Sequence, residues 1–559
     1  MYPKKELAQI VISACHQFNI DTVVISPGSR NAPLTVGFSN HPSIHTFSIV
    51  DERCAAFFAL GIAQQTQKAV AIVCTSGSAL LNYYPAIAEA FYSKIPLVVI
   101  SADRPKHLID IGDGQTIRQE NVFKNHILYS ANLIEDVGKN EFNINLIAEA
   151  LHVGQTQKGP IHINVPFDEP LYETVDELNH YDLPNVTSST STSLSTGFIE
   201  KSHINLNELS NIWKIATKKM ILIGTNFPSQ ELQHIITQFS DDNSVIVLTE
   251  TTSNLANEQV INSIDKVIFP LSEEAFKEFQ PDVFITLGGM VVSKKIKQFL
   301  RKHQPTHHWH IDELKSMNTF HCLTEFVQEN PINFLSNLAS NPEIGSDYQQ
   351  KWFSEKENRS VKHATYLHQV EFSDLKVFET VLKSIPDNSQ LQLSNSSIIR
   401  YAQLFDLNNT LRVFCNRGTS GIDGSTSTAI GAAYATGNQT VFITGDLSFF
   451  YDSNALWNSY IPANFRIIII NNNGGGIFRF IPGPKSTNAM EYFETPHQLT
   501  AEHLCKMHQI EYHSVTNLVD LQTALSTFYS EDNQPNILEI FTDKELNEKV
   551  LKEYFNFLK

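Results

Sequence analysis

Short apolar runs recur along the chain, each followed by a turn signal and then by residues with helical spacing. Residues 22–26 (TVVIS) end in Pro27-Gly28-Ser29, and 69–74 (AVAIVC) run into Thr75-Ser76-Gly77-Ser78 and a helix-like LLNYYPAIAEAFY. Residues 96–101 (PLVVIS) precede Ala102-Asp103-Arg104-Pro105, and 160–165 (PIHINV) close a first unit near residue 180. Runs that are apolar at successive positions read as strands buried on both faces, and their alternation with helices predicts parallel sheets. A second set lies at 220–224 (MILIG), 244–248 (SVIVL), 266–269 (KVIF) and 282–289 (DVFITLGG). A third lies at 391–395, 411–414, 439–446, 465–476 and 537–543. The expected fold class is α/β: three successive domains with parallel sheets flanked by helices. Three units of similar size are consistent with duplication of one ancestral domain, although no tandem period of 20–50 residues is visible.

The boundaries follow from composition. TSSTSTSLSTG at 187–197 is too polar to pack and reads as a linker. Residues 341–366 are polar and charged, and read as the next crossing between domains. The expected domains are 1–185, 198–345 and 365–559. A chain of 559 residues that is 42% hydrophobic and 18% charged is globular and too long for one core. Its 41 Lys and Arg against 59 Asp and Glu give a net charge of -18, which argues against non-specific nucleic-acid binding. A small basic pocket for an anionic metabolite remains compatible with that total. The six cysteines are too scattered for a disulfide framework or a CxxC metal pair. The N-terminus has an amphipathic helical pattern without a cleavage signal, and no apolar run reaches 18 residues. A cytoplasmic protein with no membrane span is expected.

The strongest local chemistry is Gly445-Asp446-Leu447-Ser448 and, after another strand, Asn471-Asn472-Asn473-Gly474-Gly475-Gly476. Asp446 and Asn472 both follow strands and are separated by one α/β crossover, so both side chains can reach one crevice. Carboxylate, amide and backbone carbonyl oxygens suit Mg²⁺, which also takes phosphate oxygens. Ser448 and nearby N–H groups could hold the phosphates. Taken singly, the first stretch is a common turn and the second a flexible loop; the pairing at this spacing points to a metal–diphosphate site. The pair resembles the metal and diphosphate motif of thiamine-diphosphate enzymes. That resemblance implies Asp446, Asn472 and the Gly474 carbonyl as metal ligands, with Leu447 standing where the generic motif has glycine. It implies thiamine diphosphate with Mg²⁺, or Mn²⁺, as cofactors.

Ser48-Ile49-Val50-Asp51-Glu52-Arg53 opens an apolar helix, CAAFFALGIA. Asp51 reads as its cap. The resemblance places Glu52 against N1′ of the cofactor's aminopyrimidine as activator and proton relay, a role that suits a carboxylate in apolar surroundings. Ile422 matches the bulky residue that bends the cofactor, with a plain core isoleucine as the other reading.

Three arginines follow strands: Arg30 in SPGSRNAPL, Arg104 in SADRP and Arg417 in NRGTSGIDG. A guanidinium fork reads carboxylates bidentately, and surface ion pairing is the alternative. These stretches, with TSGSALLNYYPAIAEA, the Gly112-to-Gln115 segment, GDLSFFYD and NNNGGGIF, are together similar to one subgroup over nearly the whole chain. It is the 2-succinyl-5-enolpyruvyl-6-hydroxy-3-cyclohexene-1-carboxylate synthases of menaquinone biosynthesis. The resemblance implies a transferase, a carboligase that decarboxylates 2-oxoglutarate and adds the succinyl carbanion to isochorismate. It makes the three units pyrimidine-binding, central and diphosphate-binding domains. It also implies Ser29, Arg30, Arg104, Gln115 and Lys294 on the isochorismate side, with Gln115 and the cofactor's own N4′ as the candidate acid–base groups. Ser396, Arg400 and Arg417 would meet the succinyl carboxylate, and Ser420, Ile422, Leu447, Ser448, Gly475, Ile477 and Phe478 would line the cofactor cavity. A dimer or tetramer with its active site between subunits is a further implication. Another thiamine-diphosphate carboligase or 2-oxoacid decarboxylase would share Glu52, Asp446 and Asn472 but not the arginine set. A non-catalytic cofactor-binding scaffold would lack the activating carboxylate or a metal ligand, and this chain has both.

Overall fold

The computed structural model describes residues 1–184, 205–255, 257–338, 345–481, 483–530 and 533–559. The Ser/Thr linker expected at 187–197 lies outside them. Three parallel sheets carry the fold. The N-terminal sheet is ordered His45–Ser48, Thr22–Ile25, Val70–Cys74, Leu97–Asp103, Ile161–Pro166, Tyr129–Asn132. The C-terminal sheet is ordered Arg412–Cys415, Gln390–Leu393, Thr440–Gly445, Phe465–Asn471, Asn536–Phe541, Glu511–Val515. Numbered by sequence within each sheet, both run 2-1-3-4-6-5, the shared order a duplication would leave. The middle sheet has five strands, Val245–Thr249, Lys219–Ile223, Val283–Leu287, His307–Ile311 and Glu325–Val327, in the related order 2-1-3-4-5.

The apolar runs become central strands for the expected reason: Val70–Cys74, Leu97–Asp103 and Phe465–Asn471 are buried at every position. Three details depart from the pattern. Residues 264–268 form an α-helix, where KVIF was expected as a strand. A run of three apolar residues fits either period, and burying Ile264, Val267 and Ile268 on one helical face settles it. Within the polar stretch expected to cross between domains, Tyr348–Gln369 is a 22-residue helix that buries Tyr348, Trp352, Tyr366 and Leu367. The helical stretch after Ser78 breaks into Ser78–Asn82 and Tyr84–Ser93, with Pro85 in the first turn of the second.

The N- and C-terminal domains share one apolar core, centred on the crossing of helices Glu52–Thr66 and Ser425–Thr436. Small residues let the backbones touch. A Cβ on Gly61 would sit 2.1 Å from the Thr428 carbonyl oxygen, and one on Gly431 would sit 2.1 Å from that of Phe58. Fully buried Phe57, Phe58, Leu60 and Ile430 surround the crossing, each contributing about 1.5–3 kcal/mol of apolar burial. Asp51 caps its helix by accepting from Cys54 N–H (3.2 Å) and also accepts from Asn454 of the other domain (2.8 Å). The start of the helix that carries Glu52 is thereby fixed.

Candidate active site

Asp446 and Asn472 emerge from the carboxyl ends of Thr440–Gly445 and Phe465–Asn471, which are paired neighbours in the C-terminal sheet. Both side chains are buried. The Gly474 N–H donates to Asp446 Oδ2 (2.9 Å), and Leu447 N–H to Oδ1 (2.7 Å), so the loop folds back over the carboxylate. Gly474 has φ +143°, and a Cβ there would meet the Glu494 carbonyl at 2.5 Å; only glycine permits the fold-back. The Asn472 amide nitrogen donates to Asp374 Oδ2 (3.1 Å), which leaves Oδ1 buried and without a partner. A buried acceptor with nothing to accept is costly, and a hard cation satisfies it.

Among the described residues no three His, Cys, Asp or Glu side chains converge as metal ligands. An ion here would be held by one carboxylate, an amide oxygen and a backbone carbonyl, an oxygen set suited to Mg²⁺. Ser448 Oγ donates to the Ile422 carbonyl (2.8 Å), tying the short helix that starts at Asp446 to the 416–424 loop. At the end of that loop, the buried hydroxyls of Ser425 and Thr426 lack partners, polar groups that a diphosphate would use. These residues fit a metal-bridged diphosphate.

Two residues that motif reading missed shape this centre. Asp374, whose carboxyl burial pushes up to about 6, is held by Thr542 Oγ1 (2.6 Å) and by its own N–H to Asn547 (2.7 Å). His497 Nε2 lies 3.3 Å from Asp446 Oδ2. No local signal marks either, since one lies 98 residues from its partner and the other follows an irregular loop.

Glu52 begins helix Glu52–Thr66, half-buried, and its Oε2 accepts from Asn82 (3.0 Å). Its charge lies close enough to Cys74 and Tyr83 to add to the burial that pushes both groups up. Tyr83 donates to Ser26 Oγ (3.3 Å). Glu52 therefore sits at the ends of Thr22–Ile25 and Val70–Cys74, where strand order reverses in the N-terminal sheet and ligands characteristically bind.

Ser29, Arg30, Arg104 and Gln115 gather at that same edge around Thr75-Ser76-Gly77. Arg30 N–H donates to Thr75 Oγ1 (3.3 Å), and Ser76 Oγ to the Gln115 carbonyl (2.9 Å). Buried Gln119 accepts from Gly77 N–H (2.8 Å) and donates to Asn164 (2.9 Å), which in turn donates to Asp103 beside Arg104 (2.7 Å). Arg30 pairs with Glu169 (3.1 Å) and Arg104 with Asp113 (3.4 Å), but those carboxylates are 65% and 37% exposed. Such pairs are weak and open to exchange. The Nε atoms of Arg30, Arg104 and Arg417 are each buried without a partner.

The second set surrounds the C-terminal sheet. Arg400, Lys294 and Ile477 line one cavity of about 640 Å³, together with Asp265 and Ser397. The structure thus places Lys294 with Arg400, at the middle domain's face, and not with Ser29. Burial and the adjacent Arg417 charge pull Arg400 below the ordinary arginine value, and Asp265 opposes them. Ser396, at φ +68°, precedes helix Ser397–Ala402, and its carbonyl accepts from Arg400 Nη1. Arg417 Nη1 donates to Asn395 Oδ1 (2.6 Å), and Asn395 also donates to the Asn416 and Gly421 carbonyls (2.7 Å each). Ser420 and Ile422 lie on the loop so pinned, and Phe478 packs against Phe493 with ring centroids 5.4 Å apart. Gly475 donates to the Glu494 carbonyl (2.6 Å). Another unforeseen residue, buried Glu89, clamps the Arg417 loop from the N-terminal domain: it accepts from Gly418 N–H (2.7 Å) and Thr419 N–H (2.6 Å). Between the Glu52–Arg104 set and the Asp446–Arg417 set, the described residues show no direct hydrogen bond or ion pair.

Residues 5–127 match the family model described as thiamine pyrophosphate enzyme, N-terminal TPP binding domain. Residues 196–393 match the middle domain of thiamine pyrophosphate, and 396–540 the C-terminal TPP binding domain. Fold and site together define the class of three-domain α/β thiamine pyrophosphate enzymes. The chain is 54% identical to the 2-succinyl-5-enolpyruvyl-6-hydroxy-3-cyclohexene-1-carboxylate synthases of Flavobacterium johnsoniae and Flavobacterium psychrophilum, and 50% identical to that of Christiangramia forsetii. Each match covers 100% of both chains. The chain belongs to this synthase family of thiamine-diphosphate-dependent transferases. No helix among the described residues is long and apolar enough to cross a membrane.

Proposed function

We propose that the protein joins 2-oxoglutarate to isochorismate with loss of CO₂, as a cytoplasmic carboligase of menaquinone biosynthesis. The observation that carries the reading is the buried, unpartnered Asn472 oxygen beside Asp446 at adjacent strand ends, in a chain whose full-length relatives bear the synthase name. Asp446, Asn472 Oδ1 and the Gly474 carbonyl would hold Mg²⁺, with Ser420, Leu447, Ser448, Gly475 and the 424–426 turn around the diphosphate. Bound there, thiamine diphosphate supplies the electron sink for decarboxylation of the 2-oxoacid. Asn82 donates to Glu52 Oε2, and among the described residues no hydrogen bond reaches Oε1, so that this oxygen can hold and release a proton opposite the aminopyrimidine. Ile422, Ile477 and Phe478 give the cavity an apolar wall, which strengthens each charge interaction inside it. Ser396, Arg400 and Arg417 orient the succinyl carboxylate. Ser29, Arg30, Arg104 and Gln115 orient the carboxylates of isochorismate, with Lys294 reaching the same substrate from the Arg400 cavity, and the Gln115 amide hydrogen-bonds the group that is protonated during addition.

The domain limits we propose are 1–185, 198–345 and 365–559. Among the described residues of one chain no hydrogen bond or ion pair joins Glu52 to Asp446, which supports a site completed between two copies, in a dimer or tetramer. The test supplies thiamine diphosphate and Mg²⁺ and follows CO₂ release with 2-oxoglutarate and isochorismate together. Consumption of the two in equal amounts is expected. Turnover of pyruvate with no use of isochorismate would overturn the reading in favour of another carboligase.

A further inference from the structure

The middle domain supplies one proposed substrate residue, Lys294, yet it also reaches the loop that carries Arg417. Both connections start from a single segment, Glu250 to Asn254, at the carboxyl end of strand Val245–Thr249. Glu250 is fully buried, and its two carboxylate oxygens accept from successive backbone donors, Val292 N–H (2.6 Å) and Ser293 N–H (2.7 Å). Ser293 then caps helix Lys294–Lys302, accepting from Ile296 N–H (3.1 Å), and its hydroxyl donates to Asp265. Lys294 is the next residue, so the Glu250 carboxylate sets where that helix starts.

Asn254 works in the opposite direction. It adopts φ +52°, and its side chain imitates a strand: Oδ1 accepts from Val413 N–H (2.7 Å) and Nδ2 donates to the Val413 carbonyl (2.9 Å). Val413 lies on the edge strand Arg412–Cys415, four residues before Arg417. Between the two clamps, Ser253 Oγ accepts from Glu250 N–H (2.8 Å) and donates to the Ile223 carbonyl (2.7 Å), which fixes the segment on the middle sheet. Burial of an ionisable group at this depth is expensive, and pushes Glu250 up to about 7 although the Arg417 charge and both N–H donors pull it down. A glutamine of the same size could fill the space without that cost.

We propose that Glu250 and Asn254 are positioning residues, which hold Lys294 and Arg417 in register across the boundary between the middle and C-terminal domains. Neither is proposed to touch substrate. Their effect reaches the reaction through two side chains that the proposed function assigns to carboxylate binding, so the inference rests on that reading. It gives the middle domain a role without a bound ligand.

Double-mutant cycles on the full-length holoenzyme test it. Glu250→Gln keeps one acceptor and turns an amide NH₂ toward a backbone donor, so one clamp bond is lost. We expect kcat/KM to fall about 10- to 100-fold, the usual cost of misplacing a group that positions another. In a Lys294→Ala background the same change should cost less than about twofold, because its target is gone. Asn254→Ala should behave likewise against Arg417→Ala, and it leaves no buried charge if Glu250→Gln proves too unstable to study. Hydrogen exchange supplies a readout independent of turnover: Glu250→Gln should accelerate exchange at residues 292–293 while the central strands keep their protection. Equal losses in both backgrounds would overturn the proposal, since they mean a general structural role. If Lys294→Ala and Arg417→Ala themselves leave kcat/KM unchanged, the assignment of those residues fails, and the inference falls with it. If those two variants lose activity and Glu250→Gln and Asn254→Ala lose none, the inference alone fails.

Discussion

The side chain of Asn472 has a donor end and an acceptor end, and Asp374 occupies the donor end. That single bond fixes which way the amide is turned and leaves its buried oxygen without a protein partner. Removing it in Asp374→Ala frees the amide to turn, and affinity for Mg²⁺ should fall about 10- to 100-fold, as for other partners that orient metal ligands; Mg²⁺ titration of activity measures it. Unchanged Mg²⁺ dependence would reject the orienting role. Glu52→Gln keeps the shape and the Asn82 contact but cannot exchange a proton. Its kcat should fall about 10²–10⁴-fold with thermal melting unchanged, and a variant with near-normal turnover would reject Glu52 as the relay. Asp446 was legible because it follows a recognisable strand and turn, and Glu52 only through the family resemblance of the stretch that opens its helix. Asp374, Glu89 and Glu250 were not, since each acts on a segment that only folding brings near.

At the scale of elements, the close crossing of Glu52–Thr66 and Ser425–Thr436 decides how the N- and C-terminal domains meet. The contact depends on the missing side chains of Gly61 and Gly431. Gly61→Ala would drive a methyl into the Thr428 carbonyl, and overpacking of this kind costs about 1–3 kcal/mol. The urea midpoint should fall accordingly. Gly114→Ala, where a Cβ would meet nothing within 4 Å, should stay within about 0.5 kcal/mol of the parent. Equal midpoints for the two variants would remove the crossing as a determinant of stability. Strands were the elements most readable in the sequence, because a run buried on both faces is apolar throughout. Helix 264–268 was not, since its apolar run is too short to show a period. Nor was the strand Tyr129–Asn132, which lies at a sheet edge and is only partly buried.

For the whole molecule, two buried groups give opposite responses to acid. His363 is held neutral, pulled down to about 4 chiefly by burial. The unfolded chain binds that proton near pH 6.5, so this group lowers stability as pH falls from about 6.5 toward 4. Asp452, pushed up to about 6 by burial, takes up its proton first in the folded state and so raises stability as pH falls from about 6 toward 4. His363→Gln should therefore flatten the loss of stability between pH 6.5 and 4, and Asp452→Asn should steepen it, both read from urea midpoints against pH. Reversed slopes would mean that other groups control the acid limb. Assembly is tested by mixing inactive parents. If each active site combines Glu52 of one copy with Asp446 of another, Glu52→Gln and Asp446→Ala subunits refolded together should regain about one quarter of parental activity. That figure follows from random pairing into two-fold dimers with one intact site in each hybrid. No recovery, with mixed dimers demonstrated, would place the complete site within one chain.

Local sequence determined what depends on local physics: which runs become buried strands, where Asp446 and Asn472 leave them, and which chemistry those residue types can perform. The six-strand order shared by the two outer sheets, the placement of Lys294 beside Arg400, and the carboxylate clamps at Glu89 and Glu250 were decided by the tertiary structure. The reason lies in how polar groups are satisfied. Hydrophobic period and turn chemistry are written within a few residues, but a buried N–H or amide takes whichever acceptor packing delivers, and here that acceptor stands 42 to 330 residues away.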